Sequence, residues 1–412
     1  MFTRKEFLGT GLLSAFSIPS LLSGRPRSSE SNPSPSRNGE ARNVIFLVVD
    51  GMSSGTLAMG DLMTRRQLGR ASNWIDLYEN NRARRSLMDM ASSDSFVTDS
   101  AAAASSWGSG RRIPNGGVNW SEEGKPLRSV VPIFRDAGKA TGLVTTTRIT
   151  HATPAGFAAA VPSRNLEDEI ASQYLEIGVD LLMGGGTRHF TSTGRRDGRD
   201  LLSEFRQAGY PLVSTRDEML AQADGIGLLG LFYDSHLPYT VDHRTVPQLR
   251  EGVPTLAEMS RTALERLSRH PDGFLLQIEG GRVDHAAHGN DPSGLVFDMM
   301  AFDDAIGEVL RFAEGRDDTL VIITTDHSNA NPGVNGAGLG YTGSPAMFDN
   351  LQSFRHSNEW IADQLGSEPS AARILEVVEE ATLLQITRDE ADMLAKSFRN
   401  ELVTPYRPER VP

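Results

Sequence analysis

The sequence predicts an α/β protein, a three-layer sandwich with a largely parallel central sheet and a C-terminal helical insertion or cap. Two patterns support this fold class. Short, continuous apolar runs indicate strands that are buried on both faces. Amphipathic segments between them indicate helices that cover both sides of the sheet. With 412 residues, the chain is long enough to bury a core of this size.

Five apolar runs are predicted as strands. They are residues 43–49, 140–145, 179–183, 273–278 and 319–323. Among the segments that separate them, residues 293–313 show a clear helical spacing of apolar side chains, with Ser293 as the expected N-cap.

The N-terminal region predicts export. Arg4 and Lys5 precede an apolar run at residues 7–22, which is the order of a signal peptide, so residues 1–24 are interpreted as one. The run is short and contains glycine and proline, so no stable membrane span is expected, with an uncleaved anchor as the alternative. Residues 3–8 resemble a twin-arginine signal in which Lys5 replaces the second arginine. A periplasmic or extracellular location follows.

Two further regions depart from the α/β pattern. Residues 25–41 are rich in serine, proline and charge, which predicts a disordered linker before a folded domain at 42–412. Residues 344–404 predict a helical insertion, with helices at 358–364 and 371–384. A third helix should begin at Thr387, where Glu390 completes a capping box.

Composition excludes several classes of function. The 53 acidic and 41 basic residues give a net charge of -12, which argues against a nucleic-acid partner or binding to an anionic membrane by bulk charge. The chain has no cysteine, so a thiolate nucleophile, a disulfide framework and a cysteine-ligated metal are excluded.

Polar side chains follow four of the five predicted strands. These residues are Asp50, His151, Thr153, Glu279, Asp326 and His327. In open α/β sheets, ligands bind at the carboxyl ends of the strands. Burying so many acids together would be very costly without cations, so these residues predict a metal centre.

A second ligand pair lies in the segment 279–288. Asp284 and His288 are four residues apart and share one face of a helical turn, so together they could chelate one metal. Zinc accepts imidazole and carboxylate together, whereas magnesium prefers oxygen, which Asp50, Thr153 and Glu279 could provide. Both metals are therefore expected, with a solvated acidic loop as the alternative for this segment.

Ser100 begins an alanine-rich segment that predicts a helix. Considered alone, a serine at this position fits an ordinary N-cap. Beside metal ligands, however, the positive helix end and a bound cation would both favour an alkoxide or a phosphoryl ester on its oxygen. The sequence therefore predicts Ser100 as a nucleophile.

Five segments together resemble the alkaline phosphatase family over roughly residues 43–331. They are VVDGM at 48–52, TDSAAAA at 98–104, TTTRITHATPA at 145–155, EGGRVDHAAH at 279–288 and TTDHS at 324–328. The resemblance implies metal-dependent hydrolysis of small phosphate monoesters through a phosphoserine on Ser100, with release of inorganic phosphate and an alcohol. It also allows a homodimer.

The resemblance implies two zinc sites and one magnesium site. Asp50 would bridge the magnesium and one zinc, with Asp326 and His327 completing that zinc. Thr153 and Glu279 would complete the magnesium site, and Asp284 and His288 would hold the second zinc.

The resemblance also implies a phosphate-binding group. Arg164 would bind the phosphoryl oxygens, and Asp99 would orient its guanidinium. His151 and His285 occupy two positions where some members carry aspartate and lysine and others carry two histidines, so the magnesium site could also take zinc.

One family ligand has no clear counterpart. Members usually supply a late histidine to the Asp284/His288 zinc, and His356 is the one histidine after His327. Either His356 is that ligand, or the chain lacks the segment that carries it. Two alternative functions follow, a phosphodiesterase of the same superfamily and a degenerate phosphate-binding protein with impaired turnover. The other histidines, His189, His236, His243 and His270, are expected in loops or at the surface without a metal role.

Overall fold

A computed structural model of the chain describes residues 41–222, 225–335 and 341–399. The predicted signal peptide at 1–24 lies outside the described residues. So do residues 25–40 of the predicted linker and residues 400–404 of the predicted insertion.

The central sheet has seven strands in the order β4-β5-β3-β2-β6-β1-β7. They are β1 Asn43–Val49, β2 Ala140–Arg148, β3 Leu181–Gly185, β4 Leu212–Val213, β5 Leu228–Leu231, β6 Phe274–Gly280 and β7 Thr319–Thr325. All pairings between these strands are parallel. The five predicted strands are confirmed, whereas β4 and β5, with two and four residues, are too short to be predicted from periodicity.

Helices lie between the strands and after the last one. The first group is α1 Ser54–Leu68, α2 Asn73–Glu79, α3 Ser100–Gly108, α4 Val130–Asp136, α5 Ala152–Ala158, α6 Glu167–Ile177, α7 Leu201–Gln207, α8 Arg216–Ala221, α9 Thr240–Thr245, α10 Pro247–Gly252, α11 Leu256–Leu267, α12 Arg282–His288 and α13 Pro292–Ala313. After β7 come α14 Ser344–Asp349, α15 Asn358–Leu365, α16 Ala371–Thr382 and α17 Arg388–Phe398. Among these described helices, none is both long and apolar enough to cross a bilayer.

Strand β1 shows why the sheet is the middle of three layers. Its side chains alternate between two apolar clusters, because successive residues of a strand point to opposite faces. Ile45, Leu47 and Val49 join one cluster, which includes residues of α11 and α13. Phe46 and Val48 join the other, which includes residues of α3, α5 and α6. The three-layer α/β fold is therefore confirmed.

The helical region after β7 has an apolar cluster of its own, formed by α15, α16 and α17. Thr387 caps α17, and Glu390 completes the predicted capping box. The N-cap of α13 was predicted wrongly. Asp291, not Ser293, caps this helix, because its Oδ1 accepts the backbone N–H groups of Ser293 and Gly294.

Helices α3 and α5 pack so closely that their contact requires glycine. A Cβ atom at Gly156 would lie 2.5 Å from Ala104 Cβ, and one at Gly108 would lie 1.8 Å from the Gly156 carbonyl oxygen. Asn119 joins the two helices further, since its backbone N–H donates to Ser105 Oγ of α3 at 2.8 Å and its buried Nδ2 donates to the carbonyl oxygens of Gly156 and Ala159 at 2.8 and 2.7 Å. This contact fixes the start of α3, at Ser100, relative to α5.

We expect Gly156→Ala to lower the free energy of unfolding by about 1–3 kcal/mol, because the added methyl group overpacks the contact between α3 and α5. Gly252→Ala is the matched control, since no atom of the described residues lies within 4 Å of a Cβ at this position. Chemical denaturation of both variants measures the effect. Equal unfolding midpoints for the two would contradict this account of the contact.

Candidate active site

The parallel order of the strands brings the predicted acids together. Strand β1 lies between β6 and β7, and Val48 pairs with Glu279 while Val49 pairs with Thr325. Asp50 and Asp326 each lie one residue beyond the Val49–Thr325 pair. All three carboxylates are fully buried. The carboxyl ends of three neighbouring strands therefore converge on one cluster of acids.

Ser100 faces this cluster from the first turn of α3. Its Oγ lies 3.3 Å from Asp50 Oδ1 and 3.3 Å from His327 Nε2. Ser100 is not the N-cap of the helix, because Asp99 holds that position and accepts the backbone N–H of Ala102 at 2.9 Å. The hydroxyl of Ser100 is therefore left to face the acids.

Two groups of side chains could each hold a metal ion. One consists of Asp50, Asp326 and His327, and the other of Asp50, His151 and Glu279. Thr153 adds a hydroxyl to the second group, with its Oγ1 3.3 Å from Asp50 Oδ2. Asp50 belongs to both groups, as expected of a bridging ligand.

Buried atoms without partners show that these groups fit a cation. Asp326 Oδ2, Glu279 Oε1 and His151 Nδ1 are buried and lack a hydrogen-bond partner among the described residues. Buried polar atoms are normally paired, so each such atom requires a further partner. Carboxylate oxygen and imidazole nitrogen are the donors that zinc accepts.

The pKa values of the three acids show the electrostatic cost of this arrangement. Burial, with repulsion by Asp284, raises the pKa of Asp326 to about 7. Burial, with repulsion by Asp50, raises the pKa of Glu279 to about 8. The pKa of Asp50 also lies well above its usual value, because of burial and the charge of Asp326. A divalent cation would reverse these shifts.

Asp284 and His288 offer fewer potential metal ligands than the two groups that contain Asp50. They lie on α12, with His288 Nε2 3.4 Å from Asp284 Oδ2, and the His288 side chain is 70% exposed. Asp284 Oδ1 accepts a hydrogen bond from Asn329 Nδ2 at 2.7 Å. Within the described part of the chain, neither residue belongs to a group of three or more potential metal ligands.

His356 makes contacts that differ from those of a zinc ligand. Its Nδ1 lies 3.1 Å from Asp242 Oδ1, and its ring stacks on Trp360 with the centroids 3.8 Å apart. Among the described residues it joins no group of potential metal ligands. The geometry therefore gives no support to His356 as the third ligand, and it assigns His356 to anchoring the start of α15.

Arg164 contacts both Asp99 and His151. Its Nη1 donates to Asp99 Oδ2 at 3.1 Å, and its Nη2 lies 3.1 Å from His151 Nε2. The Asp99 carboxylate thus contacts both the start of α3 and the guanidinium. Arg164 is held by the residue next to Ser100.

His236 is a site residue that the sequence reasoning missed. It lies in a loop, as expected, but its ring packs against His285 and His151, with centroid distances of 4.3 and 5.5 Å. Burial and neighbouring arginines lower the pKa values of all three histidines, that of His285 to about 3. No strand end or motif marks position 236, so no sequence signal could have identified it.

Comparison with known proteins decides the family. The family model described as alkaline phosphatase matches residues 41–392. The chain belongs to the alkaline phosphatase family. It is therefore a phosphatase, a hydrolase that acts on phosphate esters, and its family is metal-dependent.

Individual relatives agree with this result. Alkaline phosphatase 3 of Bacillus subtilis is 31% identical over 421 residues, which cover 97% of this chain and 84% of the relative. The crystal structure of Thermus thermophilus alkaline phosphatase matches with a TM-score of 0.84 and 37% identity, over 95% of this chain and 81% of that chain. The resemblance and the fold class are confirmed.

A third relative concerns the metals. It is a variant of the alkaline phosphatase from the Antarctic bacterium TAB5 in which glutamate replaces a histidine, and it has Mg bound in its M3 site. Its structure matches with a TM-score of 0.63 and 28% identity, over 72% of this chain and 81% of that chain.

Removing the metals should make stability strongly dependent on pH. Asp326 and Glu279 bind their protons more tightly in the folded chain than in the unfolded chain, where their pKa values are near 4. The metal-free protein should therefore lose stability as the pH rises from about 4 to about 8, by several kcal/mol, and metals should restore it.

Denaturation of the metal-free and metal-loaded protein between about pH 5 and about pH 9 measures this effect. The difference in the free energy of unfolding between the metal-loaded and the metal-free protein should increase with pH. It should increase less in Asp326→Asn, which lacks one of the titrating acids. A difference that does not change with pH would contradict the assignment of these acids to a metal centre.

Proposed function

We propose that the protein hydrolyses phosphate monoesters through a phosphoserine on Ser100. The observation that carries this proposal is the position of Ser100 Oγ, 3.3 Å from both Asp50 Oδ1 and His327 Nε2 at the start of α3. A hydroxyl between two potential metal ligands and a helix N-terminus is suited to attack phosphorus.

The other residues of the site would bind and orient the substrate. The Arg164 guanidinium would hold two phosphoryl oxygens, because its planar fork matches a tetrahedral phosphate. Asp99 would keep that fork in place. Ser100 Oγ would form a bond to phosphorus as the alcohol leaves from the opposite side, and water would then release inorganic phosphate.

The metals follow from the donor sets. Zinc would be held by Asp50, Asp326 and His327, and magnesium by Asp50, Thr153 and Glu279. His151 adds nitrogen to the magnesium group, which suits zinc as well. The bound ions would lower the pKa of the Ser100 hydroxyl and offset the charge of the phosphoryl oxygens.

A second zinc would bind at Asp284 and His288. Export through the segment at residues 1–24 and assembly into a homodimer remain parts of the proposal that rest on the sequence and on the resemblance.

Ser100→Ala should lower kcat for p-nitrophenyl phosphate by more than about 1,000-fold, because the attacking oxygen is removed. Ser106→Ala is the matched control, since this serine lies on the same helix and its hydroxyl donates to the Ala102 carbonyl oxygen. Steady-state kinetics of both variants and trapping of labelled phosphoserine provide the measurement.

A labelled serine in the wild type that is absent from Ser100→Ala supports the proposal. Substantial turnover by Ser100→Ala would overturn it. The same assays with bis-p-nitrophenyl phosphate test for phosphodiesterase activity.

Zinc titration should reveal two classes of site. Each of the two groups that contain Asp50 offers three ligands, whereas Asp284 and His288 offer two. The zinc at Asp284 and His288 should therefore bind more weakly. His288→Ala should remove the weak class and His356→Ala should leave both classes intact.

A zinc site that is lost in His288→Ala but binds as tightly as the other sites would contradict this prediction. Weak zinc binding at Asp284 and His288 would favour slow release of phosphate. Slow release is what we expect of the alternative function, a phosphate-binding protein with impaired turnover. A burst of alcohol followed by slow turnover would reveal it.

A further inference from the structure

A cavity of about 420 Å³ opens beside the candidate active site. His285 and His288 line it on the side of the metal ligands, and Asn358 and Glu359 of α15 line it on the other side. Because His285 also packs against His151 with a centroid distance of 5.5 Å, the cavity and the active site share a wall.

Arg282 gives this cavity a buried charged group. Its side chain is 3% exposed, its Nη1 lies 3.0 Å from His285 Nδ1, and its guanidinium stacks 3.7 Å from the centre of the Tyr239 ring. Its Nε is buried and lacks a hydrogen-bond partner among the described residues. The stacking and the hydrogen bond fix the position of the charge.

Glu359 balances that charge from the rim of the cavity. Its Oε2 accepts a hydrogen bond from Arg282 Nη2 at 2.7 Å, and its side chain is 58% exposed. One face of this carboxylate therefore holds Arg282, and the other is open to a molecule that enters the cavity.

The start of α15 is anchored, which keeps Glu359 at the rim. The backbone N–H of Ser357 donates to Asp242 Oδ1 at 3.0 Å. The backbone N–H of Asn358 donates to Asp291 Oδ2 at 2.7 Å. Both carboxylates belong to the body of the α/β domain, so the first turn of α15 is fixed to it.

The polar lining of the cavity suits one class of leaving group. Glu359 offers acceptor oxygens, and His236 and His285 also line the cavity. Nη1 and Nη2 of Arg282 are already paired, and Asp291 accepts hydrogen bonds from backbone N–H groups. A hydroxyl or ammonium group would find an acceptor at the rim, whereas a carboxylate or second phosphate would meet the charge of Glu359.

We propose that this cavity binds the alcohol portion of the substrate, and that Glu359 selects polyhydroxy or amino alcohols over anionic ones. The proposal rests on the proposed function, since it concerns the leaving group of the same reaction. Glu359 determines specificity because it accepts the hydrogen bond of Arg282 Nη2. Without Glu359, this N–H group would attract an anionic leaving group.

The test compares kcat/KM for glucosamine 6-phosphate with kcat/KM for 3-phosphoglycerate. The wild type should prefer the amino sugar ester. Glu359→Gln should reduce this preference by roughly three- to fivefold, the range expected for a half-exposed charge, and added salt should shrink the difference between the two proteins. Glu380→Gln, an exposed acid on α16, is the matched control and should leave the preference unchanged.

Hydrolysis of p-nitrophenyl phosphate separates the two proposals. If the metal-loaded wild type does not hydrolyse it, the proposed function fails. If it does, and Glu359→Gln and Glu359→Ala keep the wild-type preference between the two natural esters, the role of Glu359 is overturned while the proposed function stands.

Discussion

The burial of Asp50 is the constraint on which the rest of the site depends. Its carboxylate ends the middle strand of three, so Asp326 and Glu279 are placed on either side by the register of the sheet. Three acids in one buried space repel each other, and their raised pKa values measure that repulsion together with the loss of water. Cations would offset the electrostatic cost of burying the three carboxylates together. Binding of cations by these acids would therefore be linked to folding.

The nucleophile is placed by packing. Glycine at the contact between α3 and α5 brings these two helices close together, and Asp99 caps α3 so that the Ser100 hydroxyl is left to face Asp50. The same Asp99 side chain holds Arg164. One carboxylate thus connects the start of the helix to the group proposed to bind phosphate, which links local helix stability to substrate orientation.

The outer part of the site is built differently from the inner part. The carboxylates of Asp50, Asp326 and Glu279 are fully buried and supported by the sheet, whereas His288 is largely exposed and Glu359 comes from the helical region after β7. In the proposed function, the chemistry would belong to the strand ends and the choice of leaving group to the first turn of α15.

Local pattern was sufficient to predict the five longer strands, the acids that follow them and the serine at the start of α3. Continuous apolar runs report burial on both faces, and parallel strands bring their carboxyl ends to one edge. The short strands β4 and β5, the caps at Asp99 and Asp291, the packing of His236 and the Arg282–Glu359 pair needed the tertiary structure. The strands β4 and β5 are too short for periodicity to reveal them. The other features depend on a choice between near neighbours or on a contact between distant residues, such as Arg282 and Glu359, which are 77 positions apart. Periodicity carries no information about which distant side chains meet, because that is decided by how the helices pack on the sheet.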